Sequence, residues 1–144
     1  IFDELVTMDS TFKHYYAEER FQLVSKEKLD VSELTTLDMV LTDIGCSYRK
    51  AFLDEYQSVF NIDVTLELDS PLDIKKVIEI SGEKAFLPNY VANDELFAQF
   101  EKIDWQISKA FFIQCLYDPT QRNEVAKHLV ETFIDQIEIE FIEK

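Results

Sequence analysis

Basic charge is what this chain of 144 residues most lacks: 14 Lys and Arg stand against 29 Asp and Glu, for a formal net charge of −15. A surface of that sign repels phosphates, so direct binding to nucleic acid or to an anionic membrane is excluded as a main activity of these residues. Cysteine is equally sparse, with Cys46 and Cys115 far apart in apolar surroundings. That usage fits a reducing compartment, by default the cytoplasm, and not a disulfide framework. The two glycines and two histidines are too few and too scattered for catalytic signatures. There is no G-x-S-x-G, H-E-x-x-H, P-loop or G-x-G-x-x-G, so no nucleophile with its base, no metal site and no cofactor site can be assembled by spacing. No apolar run is long enough to span a bilayer, and no secretory leader is recognisable.

What is present is a core. The chain is 47% hydrophobic and 13% aromatic, enough for one domain or two small lobes. The stretch TDIGCSYRKAFL (42–53) follows the apolar, β-compatible DMVLT; Gly45 breaks the strand, and Tyr48, Phe52 and Tyr56 then recur at helical spacing. The expectation is a strand, a tight turn and a helix from about Cys46 to Val59. Such a turn can simply cap the helix through Cys46 or Ser47. It can also aim unpaired N–H groups and the positive end of the helix dipole at an anion. IDVTLEL reads as the next strand and SPLDIKKVIEI as the next helix, with Ser70 as N-cap, Pro71 at the first position and Asp73 in the first turn. FKHYYAEERFQLVSK predicts one or two strands with Phe21, Leu23 and Tyr15 facing a core. LDVSELTTLD predicts a capped helical turn, EKAFLPNY a short strand stopped by Pro88, and NDELF another helical turn. WQISKAFFIQCLY predicts one long strand, and TQRNEVAKHLVETFIDQIEIEFIEK a long amphipathic helix. The alternation predicts an α/β class with a parallel sheet and right-handed crossovers. His14 and His128 read as partly exposed residues without partners.

The order and spacing of QLVSKEKLDVSELTTLDMVLTDIGCSYRKAF, VTLELDSPLDIKKVIEISGEKAFLPNYVANDEL and ISKAFFIQCLYDPTQRNEVAKHLVETF resemble the effector-binding domain of LysR-type transcriptional regulators. GCSYR and IKKV are the best points of that resemblance. The resemblance implies a two-lobe fold like that of periplasmic binding proteins of the second type, with parallel or mixed sheets. One lobe would run over 26–103; the other would combine 1–25 with 104–144 and lack its first strand and helix. It further implies a non-enzymatic sensor that binds a small anionic metabolite in the cleft between lobes, contacted by Thr42, Gly45, Cys46, Ser47, Ser70 and Pro88. The implied partners are the effector and a second or further copy of the chain, as a homodimer or homotetramer. Pairing would use the helix 46–59 and the strand IDVTLEL, with Phe60 and Ile62 facing outward. DNA would be read only by a basic winged helix preceding Ile1, since the chain opens without a start Met, as a fragment would. Cys46, at a helix start, is also a candidate oxidant-sensing thiol, alone or with Cys115. Where the family has Gly-x-Gly before its Leu-Pro strand, this chain has Ser81-Gly82-Glu83-Lys84, which sets a charged pair close to the expected cleft; of ligand chemistry and a solvated corner, the second is the reading, since neighbouring opposite charges at helix ends are common and weak. A solute-binding protein and an enzyme on the same fold are the other readings.

Overall fold

The computed structural model describes residues 13–42, 45–117, 124–136 and 142–143. The chain divides into two units, one drawn from Ile1–Glu19 and Ala110–Lys144 and the other spanning Arg20–Lys109. Together they form a mixed α/β protein.

In the larger unit five strands lie in the order β4-β3-β5-β2-β6, where β2 is Phe21–Ser25, β3 Thr36–Leu41, β4 Asn61–Glu67, β5 Lys84–Pro88 and β6 Glu101–Asp104. β3 runs parallel to both β4 and β5, whereas β2 is antiparallel to β5 and to β6. The sheet is therefore mixed, not parallel throughout as the βαβ alternation predicts. β2, expected in the split lobe, belongs here because its ladders to β5 and β6 take up its backbone groups. β3 sits between two parallel neighbours and is apolar on both faces, with Leu37, Met39, Val40 and Leu41 all buried, as parallel strands covered on both sides require.

Helix α1 (Ser47–Tyr56) connects β3 to β4, and α2 (Pro71–Ser81) connects β4 to β5. The two crossovers run in opposite directions along the sheet, so a common right hand sends their helices to opposite faces. Side-chain alternation along β5 confirms it. Phe86 stacks on Phe52 of α1 with ring centroids 4.5 Å apart, while its neighbours Ala85 and Leu87 join Ile74 and Ile78 of α2, with Val24, Val40 and Phe97, in the other core. The α2 boundaries follow the sequence signals closely: Ser70 is the N-cap residue, Pro71 opens the helix, and Gly82 closes it at φ 74°, its N–H bonded to the Ile78 carbonyl at 3.1 Å. That left-handed closing residue is where glycine is least costly.

Short 3₁₀ turns at Val31–Glu33 and Glu95–Phe97 are capped by Asp30 and Asp94, whose carboxylates accept from Ser32 and Leu96 N–H. Of the region read as one long strand, 105–117, only 111–117 is a strand. β6 ends at Asp104, and β7 (Phe111–Tyr117) belongs to the other unit. Trp105 is buried directly after β6, and its backbone N–H donates to the Phe21 carbonyl at 3.0 Å, which carries the contact with β2 one residue past the strand.

In the smaller unit β1 (Lys13–Glu19) pairs antiparallel with β7 and with β8 (Ile142–Glu143). His14 is buried, not partly exposed, and its Nε2 lies 2.9 Å from Gln114 Oε1. α4 covers Glu124–Gln136, shorter than the predicted helix, and β8 replaces the helical end. His128 lies on α4 and is exposed, and 118–123 fall outside the described residues.

Candidate functional site at the ends of the parallel strands

Parallel strands bind ligands beyond their C-terminal ends, where adjacent strands send their connections to opposite faces. β3 and β5 meet that description. β3 passes to α1 on one face; β5 passes to α3 (Asn89–Ala92), whose Ala92 packs in the core on the other. The crevice so defined is bordered by the turn after β3, by Leu68–Ser70 after β4, and by Pro88 and Asn89 at the end of β5.

Thr42, Gly45, Cys46, Ser47, Ser70 and Pro88 thus share one edge of the sheet. Asp43 and Ile44, inside the same turn, lie outside the described residues. Cys46 is the N-cap residue of α1 and Ser47 its first residue, and no side chain caps the helix. Ser70 likewise occupies the N-cap position of α2 without a side-chain cap bond. The capping role is therefore positional, and the first-turn N–H groups, which have no acceptor within a helix, remain oriented along its dipole. Cys46 is a free, half-buried thiol; the side chain of Cys115 lies outside the described residues. Pro88 is buried and has no N–H to give.

Three residues absent from the sequence-based set shape this edge. Arg49 is buried, donates to the Thr42 carbonyl at 2.9 Å and pairs with Glu67 at 2.9 Å. It thereby ties the turn after β3 to the end of β4, which the Leu68 N–H also reaches at the Leu41 carbonyl, 2.9 Å away. Tyr48 packs on Phe21 and Phe86 at 5.3 and 6.2 Å. Burial pushes its phenol well up from the usual value, with Cys46 adding to the effect. The phenol approaches Thr42, but among the described residues no contact to Thr42 Oγ1 meets hydrogen-bond geometry, and that oxygen is shielded from solvent. Asn89 Oδ1 at the facing strand end is shielded and unpaired in the same way. Buried polar atoms without partners are uncommon, and here two follow the ends of the adjacent strands β3 and β5. The spacing of GCSYR contains Arg49 and Tyr48, yet only the fold shows that their partners come from β4 and β5.

The Ser81–Lys84 corner is at the other edge. Ser81, Gly82 and Lys84 line a cleft of about 320 Å³ with Ser25, Lys26 and Asp38, beside the starting ends of β3 and β5. Its charges lie at the opposite ends of the strands from Thr42.

Among the described residues no group of three His, Cys, Asp or Glu side chains could hold a metal ion, and no helix is long and apolar enough to cross a membrane. No protein-family model matches the chain, and no curated protein matches it either.

Proposed function

We propose that this chain is the effector-sensing domain of a LysR-type transcriptional regulator, with a fold of the type 2 periplasmic-binding-protein kind and no catalytic activity of its own. It takes a small anionic metabolite at the edge formed by Thr42, Gly45, Cys46, Ser47, Ser70 and Pro88, needs no cofactor, and works in the cytoplasm. DNA is contacted by a separate domain of the parent protein. The observation that carries this reading is the β3/β5 switch point, where α1 starts just after β3 and the Thr42 hydroxyl, able to donate, is shielded and unpaired. Arg49 is already neutralised by Glu67, so recognition would come from neutral donors, namely backbone N–H groups and hydroxyls, as suits a compact oxyanion.

Calorimetric titration with sulfate, short dicarboxylates and amino acids tests the assignment. Thr42→Ala and Ser47→Ala are each expected to weaken the best ligand about tenfold, the equivalent of ~1.4 kcal/mol for a lost hydrogen bond in a shielded site. Unchanged affinity in both variants would refute the site.

The same reading pairs two copies side by side through α1 and β4. β4 is an edge strand, and Val59 and Leu66 beside it are exposed. Phe60 and Ile62, expected to face outward, are both half-buried, Phe60 against Tyr56 and Trp105, so the contact would rest on Val59 and Leu66. Light scattering should give a dimer mass that falls toward the monomer in Leu66→Glu.

A further inference from the structure

The chain passes from one unit to the other twice, at Glu19/Arg20 and at Lys109/Ala110. On the larger unit's side, residues next to both passages are held by one helix. We propose that α1 is a coupling rod that links Thr42 and the helix start at Cys46 and Ser47 to Phe21 and to the segment Trp105–Ser108, so that ligand occupancy at Thr42 and the helix start is felt near where the chain enters and leaves the larger unit. The functional half of this inference rests on the effector reading above; the mechanical half does not.

The aromatic stripe of α1 makes the connection. Tyr48, in the first turn, packs on Phe21 at 5.3 Å. Phe52, fully buried one turn on, stacks on Phe86 and pins the helix to β5. Tyr56, another turn on, meets Trp105 at 5.4 Å, and its phenol donates to the Gln106 carbonyl. Glu55 accepts from both the N–H and the hydroxyl of Ser108, at 2.7 and 2.8 Å. The two segments are themselves joined, since the Trp105 N–H bonds the Phe21 carbonyl. At the helix start, Arg49 grips the Thr42 carbonyl. A shift of α1 along its axis would therefore disturb Thr42 and both segments together, a contiguous packed path of the kind through which coupling can travel.

Amide hydrogen exchange on the full chain tests the rod without any ligand. Arg49→Gln should raise the exchange of the Ser108 amide about fivefold or more, and Glu55→Ala should do the same to the Lys50 amide, which bonds the Cys46 carbonyl at the start of α1, because coupling between two sites is reciprocal. Ile74 and Ile78 of α2 should stay unchanged in both. Ser108→Ala, at an exposed position, repeats the second arm should Arg49→Gln not fold. Effects confined to the mutated end in each variant would overturn the proposal. Trp105, the single tryptophan of the chain, reports the functional half during a sulfate titration. Binding seen by calorimetry with no change in Trp105 emission would overturn the transmission while leaving the effector site standing. Reciprocal amide effects without any anion binding would sustain the rod and remove the effector reading.

Discussion

Tyr48 carries the clearest titration signature in the molecule. Its phenol is favoured in the neutral form by burial and by the neighbouring Cys46, so its folded-state pKa lies above the ordinary value near 10. A group bound more tightly to its proton in the native state contributes stability that is complete below the unfolded pKa and is lost as pH rises beyond it. Thermal unfolding midpoints should therefore fall above about pH 10, and Tyr48→Phe should make that fall shallower. A slope identical to that of the unmodified chain would show that other groups control the alkaline limit. At Gly82 an added Cβ would meet nothing within 4 Å, so Gly82→Ala should cost only the strain of a left-handed backbone, about 1 kcal/mol in urea unfolding. Gly82 was legible in the sequence as the break after a helical stripe. The burial of His14 was not, because its partner Gln114 is a hundred positions away.

At the scale of elements, local signals translated well and nonlocal ones did not. Ser70, Pro71 and Asp73 announce the start of α2 within four residues, and the Tyr48, Phe52, Tyr56 stripe announces α1. The direction of β2 and β6 depends on which strands they pair with, and no local pattern encodes it. The break between β6 and β7 was hidden for the same reason: Trp105 and Phe111 both look like strand residues, and that only Phe111 enters a sheet is a tertiary outcome. Phe52 lies at the centre of the α1 face, fully buried between Tyr56 and Phe86. Phe52→Ala should lower unfolding free energy by about 3–5 kcal/mol, measured by denaturant titration. Arg49→Met should cost about 1–3 kcal/mol, chiefly by stranding the Thr42 carbonyl. Glu67→Gln should cost less than about 1 kcal/mol, because the Glu67 side chain is 48% exposed and solvent screens its half of the pair.

Over the whole molecule, the excess of carboxylates sets the response to salt. With a net charge of −15, self-repulsion weakens the compact state, and screening relieves it within a Debye length of about 10 Å at 0.1 M. The unfolding midpoint should rise between low and moderate sodium chloride, and a flat response would mean that the charges are already locally paired. The candidate site was legible as far as its turns, since Thr42, Cys46, Ser47 and Ser70 mark strand and helix ends. Asn89 and Arg49 were invisible because the strand order β4-β3-β5 is what brings their neighbourhood to one edge.

The bond from Trp105 N–H to the Phe21 carbonyl also has a kinetic meaning. β1 and β7 pair residues as distant as His14 and Leu116, and closing a flexible loop of some ninety residues costs about 4 kcal/mol of chain entropy. Once 20–109 is folded, that bond holds the two ends of the intervening chain together, and most of the search has already been completed. The strands of the larger unit should therefore gain exchange protection first in a pulse-labelled refolding experiment, with β1 and β7 following. A chain cut short after residue 109 should retain the larger sheet while losing β7, the partner that β1 needs.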